Sequence, residues 1–198
     1  SKDIGVRSLT LYTFSKDNWK RPKNEVVGLM DLLYITLKNE LNTFKKNGLR
    51  VTYIGDISFF PGKVVDIIMQ TVDETRDNTV LNLNLALGYS SRQEIINAVK
   101  NISKKVISNQ IKLENIDADM FSSELDLNID VGDPDLLIRT GGESRVSDFL
   151  LWQIAYSEIF FSNKYWPDFD KDEYMKAILS FRNTERRFGK ISEQINKK

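Results

Sequence analysis

Thr79-Val80-Leu81-Asn82-Leu83-Asn84-Leu85-Ala86-Leu87, followed by Gly88-Tyr89-Ser90 and then Ser91-Arg92-Gln93-Glu94, is the stretch that decides the fold. Leu81, Leu83, Leu85 and Leu87 alternate with Val80, Asn82, Asn84 and Ala86, the period of two that a strand imposes on its faces. Ser91-Arg92-Gln93-Glu94 has the form of a capping box and opens a helix carrying Ile95, Val99, Ile102 and Val106. A strand passing directly into a capped helix is the repeating piece of an α/β fold, and the same alternation continues in both directions.

Upstream, Val6 to Phe14 reads as a strand. Asn24 to Asn47 turns to helical spacing, with Val26, Met30, Leu33, Leu37, Leu41 and Phe44 on one face and Gly48 placed to end it. Leu49 to Ile54 is again strand-like, and Pro61 opens a helix with Val65, Ile68 and Val72 that ends near Asn78. Downstream, Ile107 to Leu127 reads as a connection with a short helix. The turn Gly132-Asp133-Pro134-Asp135 leads to a short buried strand, Leu136-Leu137-Ile138. Phe149 to Tyr156 reads as helical, Ser157 to Phe161 as a strand, and Asp170 as the cap of a last helix through Phe181. The expectation is a single α/β domain over residues 1–198: a largely parallel central sheet with helices on both faces. Ligands in such folds sit beyond the carboxyl ends of the strands, so the strand-exit loops are where function is sought.

Composition narrows the chemistry. The chain has neither Cys nor His, which removes thiol nucleophiles, Ser-His-Asp triads and thiolate or imidazole metal sites together. Carboxylates, amides, hydroxyls, Arg and Lys remain, with a hard cation such as Mg²⁺ if a metal takes part. Lys+Arg and Asp+Glu both number 28, and this zero net charge speaks against a nucleic-acid partner. No apolar run approaches the roughly 18 residues of a membrane span. The absence of disulfides fits a cytoplasmic setting. The opening Ser1-Lys2-Asp3-Ile4-Gly5 lacks an initiator Met and is no signal peptide, so the chain reads as cut at its start.

Two strand exits carry unusual chemistry. Phe14-Ser15-Lys16-Asp17-Asn18-Trp19-Lys20-Arg21-Pro22 gathers a hydroxyl, an amide, an indole and several cations in nine residues. Ser15, Asp17 and Asn18 also suit a plain capped loop, whereas Trp19 in a loop asks for a reason. Ile138-Arg139-Thr140-Gly141-Gly142-Glu143-Ser144-Arg145-Val146-Ser147-Asp148-Phe149 delivers Arg139 into a Gly-Gly loop with Arg145 and Ser147. Such a loop suits an anion: glycine N–H groups can approach it, two guanidiniums can clamp it, and a following helix adds its positive end. The alternative is an ordinary turn with Arg139 paired to Asp135. Glu158, set among Tyr156, Ile159, Phe160 and Phe161, is expected to be paired, turned to solvent or bound to a metal. Asp168 in Trp166-Pro167-Asp168 suits an N-cap equally well.

From Leu11 to Gly189 the chain resembles the cis-prenyltransferases of the undecaprenyl diphosphate synthase type. F-S-K-D-N-W-K-R-P is similar to that family's F-S-x-E-N-W-x-R-P, with Asp17 in place of the usual Glu. I-R-T-G-G-E-S-R-V-S-D-F-L-L-W-Q-I-A-Y-S-E, W-P-D-F and E-R-R-F-G resemble its later signatures. The resemblance implies condensation of isopentenyl diphosphate with an allylic diphosphate, farnesyl diphosphate, each new double bond being cis. The implied product is long, undecaprenyl diphosphate, the carrier precursor for cell-wall polysaccharide. It implies a diphosphate clamp of Arg139, Arg145, Val146 and Ser147, and a substrate-lining set of Ser15, Lys16, Asp17, Trp19 and Arg21. Glu158 is implied as a Mg²⁺ ligand, reached from a neighbouring subunit, with Asp168 as a weaker one. Asn18 stands at the position credited with the catalytic proton. An amide is barely basic, so orientation of the substrate is the role expected of it, the departing diphosphate taking the proton.

A homodimer with its contact near Phe181, Arg186, Arg187 and Phe188 is also implied, as is a cytoplasmic location with transient contact at a membrane surface for product release. Ser144 stands where many members have His. The family's opening strand, its Asp-Gly-Asn phosphate loop and its first helix have no counterpart among the 198 residues. The domain is therefore expected to be N-terminally incomplete, its sheet interrupted, and the polypeptide inactive without that segment. The alternative is a non-catalytic, phosphate-binding partner subunit of such an enzyme.

Overall fold

The computed structural model describes residues 1–127 and 131–185. The chain divides into two compact units, Ser1–Gly132 and Asp133–Lys198. In the first lie β1 (Ser8–Ser15), α1 (Lys23–Asn47), β2 (Leu49–Ile54), α2 (Gly62–Thr75), β3 (Leu81–Tyr89), α3 (Ser91–Ile107) and α4 (Ala118–Ser123). The three strands pair in parallel in the order β1-β3-β2.

The alternation read in the sequence sets the two faces of this sheet. Leu9 and Leu11 of β1 stand opposite Leu83 and Leu85 of β3, which stand opposite Val51 and Tyr53 of β2. These rows pack with Val26, Met30, Leu33 and Leu37 of α1 and Val64, Ile67 and Ile68 of α2 in one apolar core. The other face is polar. There Asn84, almost fully buried, donates to Ser8 Oγ at 3.0 Å and Thr10 Oγ1 at 3.4 Å and accepts the Thr52 hydroxyl. One side-chain amide thus ties all three strands together, which suits the rule that a buried polar group needs partners.

The start of α3 departs from expectation. Ser90, not Ser91, is the cap, its Oγ accepting the Gln93 N–H at 3.2 Å. With the cap one residue earlier, Glu94 falls outside the reach of a capping box and turns into the protein. The buried face becomes Ser91, Glu94, Ala98 and Ile102, and Val99 is exposed.

The second unit holds β4 (Leu136–Arg139), β5 (Glu158–Phe161) and α5 (Lys171–Asn183). The strands pair in parallel, Leu136 opposite Glu158 and Arg139 opposite Phe161. Asp170 caps α5 as expected, accepting the Glu173 N–H at 2.9 Å. The segment expected to be helical, 149–156, is a series of turns. Leu150 has φ +49°, a left-handed conformation that an α-helix does not contain, and its side chain is buried beside that of Phe149. Every strand pairing is parallel, and among the described residues the strands form two hydrogen-bonded sets, β1-β3-β2 and β4-β5.

Candidate functional site

At the exit of β1, residues Lys16–Lys20 form one 3₁₀ turn. Ser15 Oγ accepts the Asn18 N–H at 3.2 Å, and Asn18 Oδ1 accepts the Ser15 N–H at 2.8 Å. The capped loop and the candidate site are therefore the same object. Asn18 Oδ1 thus already accepts one backbone N–H, and an amide is barely basic in any case; its NH₂ group can donate. Asp17 pairs with Lys20 at 2.7 Å, and the Lys20 ammonium holds its carboxyl below the usual carboxylate range. Arg21 pairs with Glu25 at 2.5 Å, and Lys16 Nζ donates to Gln93 Oε1 at 2.9 Å.

Trp19 is half-buried. It meets Phe14 at 5.1 Å and Phe60 at 5.4 Å between ring centroids, both edge to face, and Phe14 meets Phe60 at 5.6 Å. Its reason for being in the loop is packing: the indole anchors the turn to the core.

At the exit of β4, Arg139 is half-buried, makes no ion pair among the described residues, and has a buried Nε without a hydrogen-bond partner. The proposed turn role with an Arg139–Asp135 pair is thus not what forms. The glycines also differ from expectation. Gly141 N–H donates to the Lys164 carbonyl at 2.7 Å and Gly142 N–H to the Ser162 carbonyl at 2.9 Å, so both amides extend the β4–β5 pairing and do not face an anion. No helix follows the loop to add its dipole. Arg145 pairs with Glu143 on the same exposed loop. The Val146 carbonyl accepts the Phe149 N–H at 3.2 Å, closing a turn around Ser147. Ser147 and Asp148 have φ of +50° and +60°, so this loop holds non-glycine residues in a strained conformation of the sort that collects at functional sites.

Glu158, half-buried, opens β5 with its N–H donated to the Asp135 carbonyl at 3.0 Å. The parallel register sets it three residues from the level of Arg139, about 10 Å along the strands. One and the same two-stranded sheet therefore does not bring Glu158 to the Arg139 loop. Asp168 lies exposed in a 3₁₀ turn, Trp166–Asp168, whose Trp166 ring stacks on that of Phe169. Among the described residues no three potential ligands gather for a metal. A lone carboxylate still fits Mg²⁺, which takes one or two protein carboxylates and draws its other oxygens from phosphates and water. Of the residues expected at the dimer contact, Phe181 lies in α5, and Arg186, Arg187 and Phe188 lie outside the described residues.

A buried network near the strand exits escaped the sequence reading. Tyr89 Oη donates to Glu94 Oε2 at 2.5 Å, the Asp126 N–H donates to Glu94 Oε1 at 2.7 Å, and the Gly55 N–H donates to Asp126 Oδ2 at 3.1 Å. Burial, with the Glu94 carboxylate beside it, pushes the Tyr89 hydroxyl well above the ordinary tyrosine range. The signal was present: two adjacent serines before Gln93-Glu94 allow two caps, and only one of them leaves Glu94 outside the box.

Residues 1–189 match the family model described as putative undecaprenyl diphosphate synthase. The chain belongs to the undecaprenyl diphosphate synthase family. This makes it a member of the cis-prenyltransferases, the class its loops resembled. Among relatives in this family, the ditrans,polycis-undecaprenyl-diphosphate synthase ((2E,6E)-farnesyl-diphosphate specific) of Wigglesworthia glossinidia brevipalpis is 47% identical over 97% of this chain and 74% of its own. The crystal structure of a probable undecaprenyl diphosphate synthase from Campylobacter jejuni aligns with a TM-score of 0.84 at 38% identity, over 96% of this chain and 86% of that one. Lavandulyl diphosphate synthase from Lavandula x intermedia, crystallised with dimethylallyl diphosphate, aligns with a TM-score of 0.92 at 30% identity, over 96% and 81%.

Proposed function

We propose that the protein condenses isopentenyl diphosphate with farnesyl diphosphate in cis, repeatedly, to give a long-chain polyprenyl diphosphate, undecaprenyl diphosphate, that feeds cell-wall polysaccharide synthesis. The observation that carries this is Arg139, whose guanidinium has a buried nitrogen with no partner at a strand exit. A buried charged donor left unsatisfied is costly, and a diphosphate oxygen would satisfy it. Arg145 joins it by exchanging the Glu143 carboxylate for phosphate, one anion for another, and Ser147 supplies a hydroxyl. This loop takes the isopentenyl diphosphate. The Ser15–Arg21 turn takes the allylic diphosphate, with the Asn18 amide orienting it and Trp19 fixing the turn. Glu158 would hold Mg²⁺, which neutralises developing charge on the leaving diphosphate when bound. The farnesyl specificity named for the Wigglesworthia relative supports the choice of allylic substrate.

We also infer a homodimer in the cytoplasm that meets the membrane surface only transiently. No described helix is long and apolar enough to cross a membrane, while Tyr165 and Trp166 are exposed aromatics suited to an interface.

The test is turnover of labelled isopentenyl diphosphate with farnesyl diphosphate and Mg²⁺ by the intact gene product, with product length read by chromatography. Long polyprenyl products that vanish with a chelator are expected. Diphosphate binding without turnover would instead favour the non-catalytic partner subunit, and no diphosphate binding would defeat both.

A further inference from the structure

Lys16 is the one cation of the Ser15–Arg21 turn that a neutral group holds. Lys20 is paired with Asp17 and Arg21 with Glu25, but Lys16 Nζ rests 2.9 Å from the Gln93 amide oxygen and makes no ion pair among the described residues. Two carboxylates, Asp17 and Asp56, lie close enough to feel the Lys16 charge, but neither pairs with it, Asp17 being bound to Lys20. Asp56 is held below the usual carboxylate range chiefly by the Ser58 hydroxyl and N–H. Gln93 is in turn aimed. Its N–H is fixed by the Ser90 cap and its Nε2 donates to Asn97 Oδ1 at 3.1 Å, which leaves Oε1 to face Lys16. An amide so fixed holds an ammonium in place without cancelling its charge, whereas a carboxylate there would cancel it.

We propose that Gln93 is a positioning residue for the allylic substrate: it points Lys16 at the β1 exit as a cation in no ion pair, ready for the incoming diphosphate. The inference rests on reading that turn as the allylic site. Gln93 itself touches no substrate and acts only through Lys16.

The experiment compares Gln93→Glu, Gln93→Ala, Lys16→Gln and Lys16→Gln with Gln93→Glu in the intact gene product. Binding of farnesyl thiodiphosphate, an unreactive allylic analogue, is measured by calorimetry beside KM and kcat for farnesyl diphosphate. Gln93→Glu should raise the analogue Kd and the KM about three- to five-fold, the scale of an exposed ion pair, with kcat little changed and the effect fading in high salt. Gln93→Ala should do less, since it frees Lys16 without neutralising it. In the Lys16→Gln background Gln93→Glu should add nothing. A Gln93→Glu protein that binds the analogue as wild type does, or that loses as much affinity with Lys16 already replaced, would overturn the proposal. Analogue binding that follows the predicted order in a protein without turnover would uphold Gln93 and defeat the catalytic reading instead.

Discussion

Arg139 and Arg145 stand on one loop but in different surroundings, and the difference ranks them. Arg139 is half-buried with an orphaned Nε; the Arg145 side chain is 64% exposed and already paired with Glu143. A charged hydrogen bond in a closed site is worth about 2–3 kcal/mol, so Arg139→Ala should lower kcat/KM for isopentenyl diphosphate roughly 30- to 150-fold. Arg145→Ala should cost less, because the gain from diphosphate is offset by the Glu143 pair it replaces. Lys at 139 should rescue poorly, since an ammonium cannot reproduce the guanidinium fork. Steady-state kinetics on the three variants checks the order; equal losses at 139 and 145 would remove the distinction drawn from burial. Composition and spacing made both arginines visible in the sequence. What spacing could not reveal is that the Gly141 and Gly142 amides are consumed by pairing with the strand beside them, because that depends on the register of β4 against β5.

At the scale of elements, the strand exits are locked by close approach. A Cβ on Gly88 would lie 2.1 Å from the Asp56 carbonyl oxygen, and one on Gly55 would lie 2.3 Å from that of Leu87, so the ends of β2 and β3 interlock through two bare backbones. The free edge of β2 is closed differently, by side chains from and just beyond α2. Thr75 Oγ1 accepts the Val51 N–H at 3.0 Å and Asn78 Nδ2 donates to the Leu49 carbonyl at 2.7 Å, covering the groups that a parallel edge strand turns outward. Thr75→Val keeps the shape and removes the acceptor, leaving a buried N–H unpaired. The expected loss is about 1–3 kcal/mol in denaturant unfolding, with faster hydrogen exchange at Val51. A change within error would mean that water replaces the hydroxyl. The bounds of β2, the N-cap of α5 and the apolar face of α1 were all legible, because each follows from local pattern. The cap of α3 and the turns at 149–156 were not. There, burial of Glu94 against Tyr89 and of Phe149 and Leu150 overrides a locally adequate helix signal.

For the whole molecule, the position of Glu158 bears on the proposed homodimer and metal role together. Parallel pairing sets Glu158 opposite Leu136, at the entry of β4, while Arg139 lies at its exit. Three residues of extended chain separate the two levels by about 10 Å, so the two side chains start from opposite ends of β4. A two-fold dimer resolves this when each clamp receives Glu158 from the other subunit, since an isologous contact supplies the same residue to both sites. The prediction is made on mixed dimers. Arg139→Ala and Glu158→Ala homodimers should each be nearly inactive. Co-expressed, half of the random dimers are mixed, and in each of these one site regains an intact Arg139 with an intact Glu158 from its partner. Activity should therefore return to about a quarter of wild type. Were Glu158 to serve its own clamp, every site in the mixed dimer would lack one of the two groups and no activity would return. A monomer at micromolar concentration by sedimentation, active with Mg²⁺, would rule out the shared site directly.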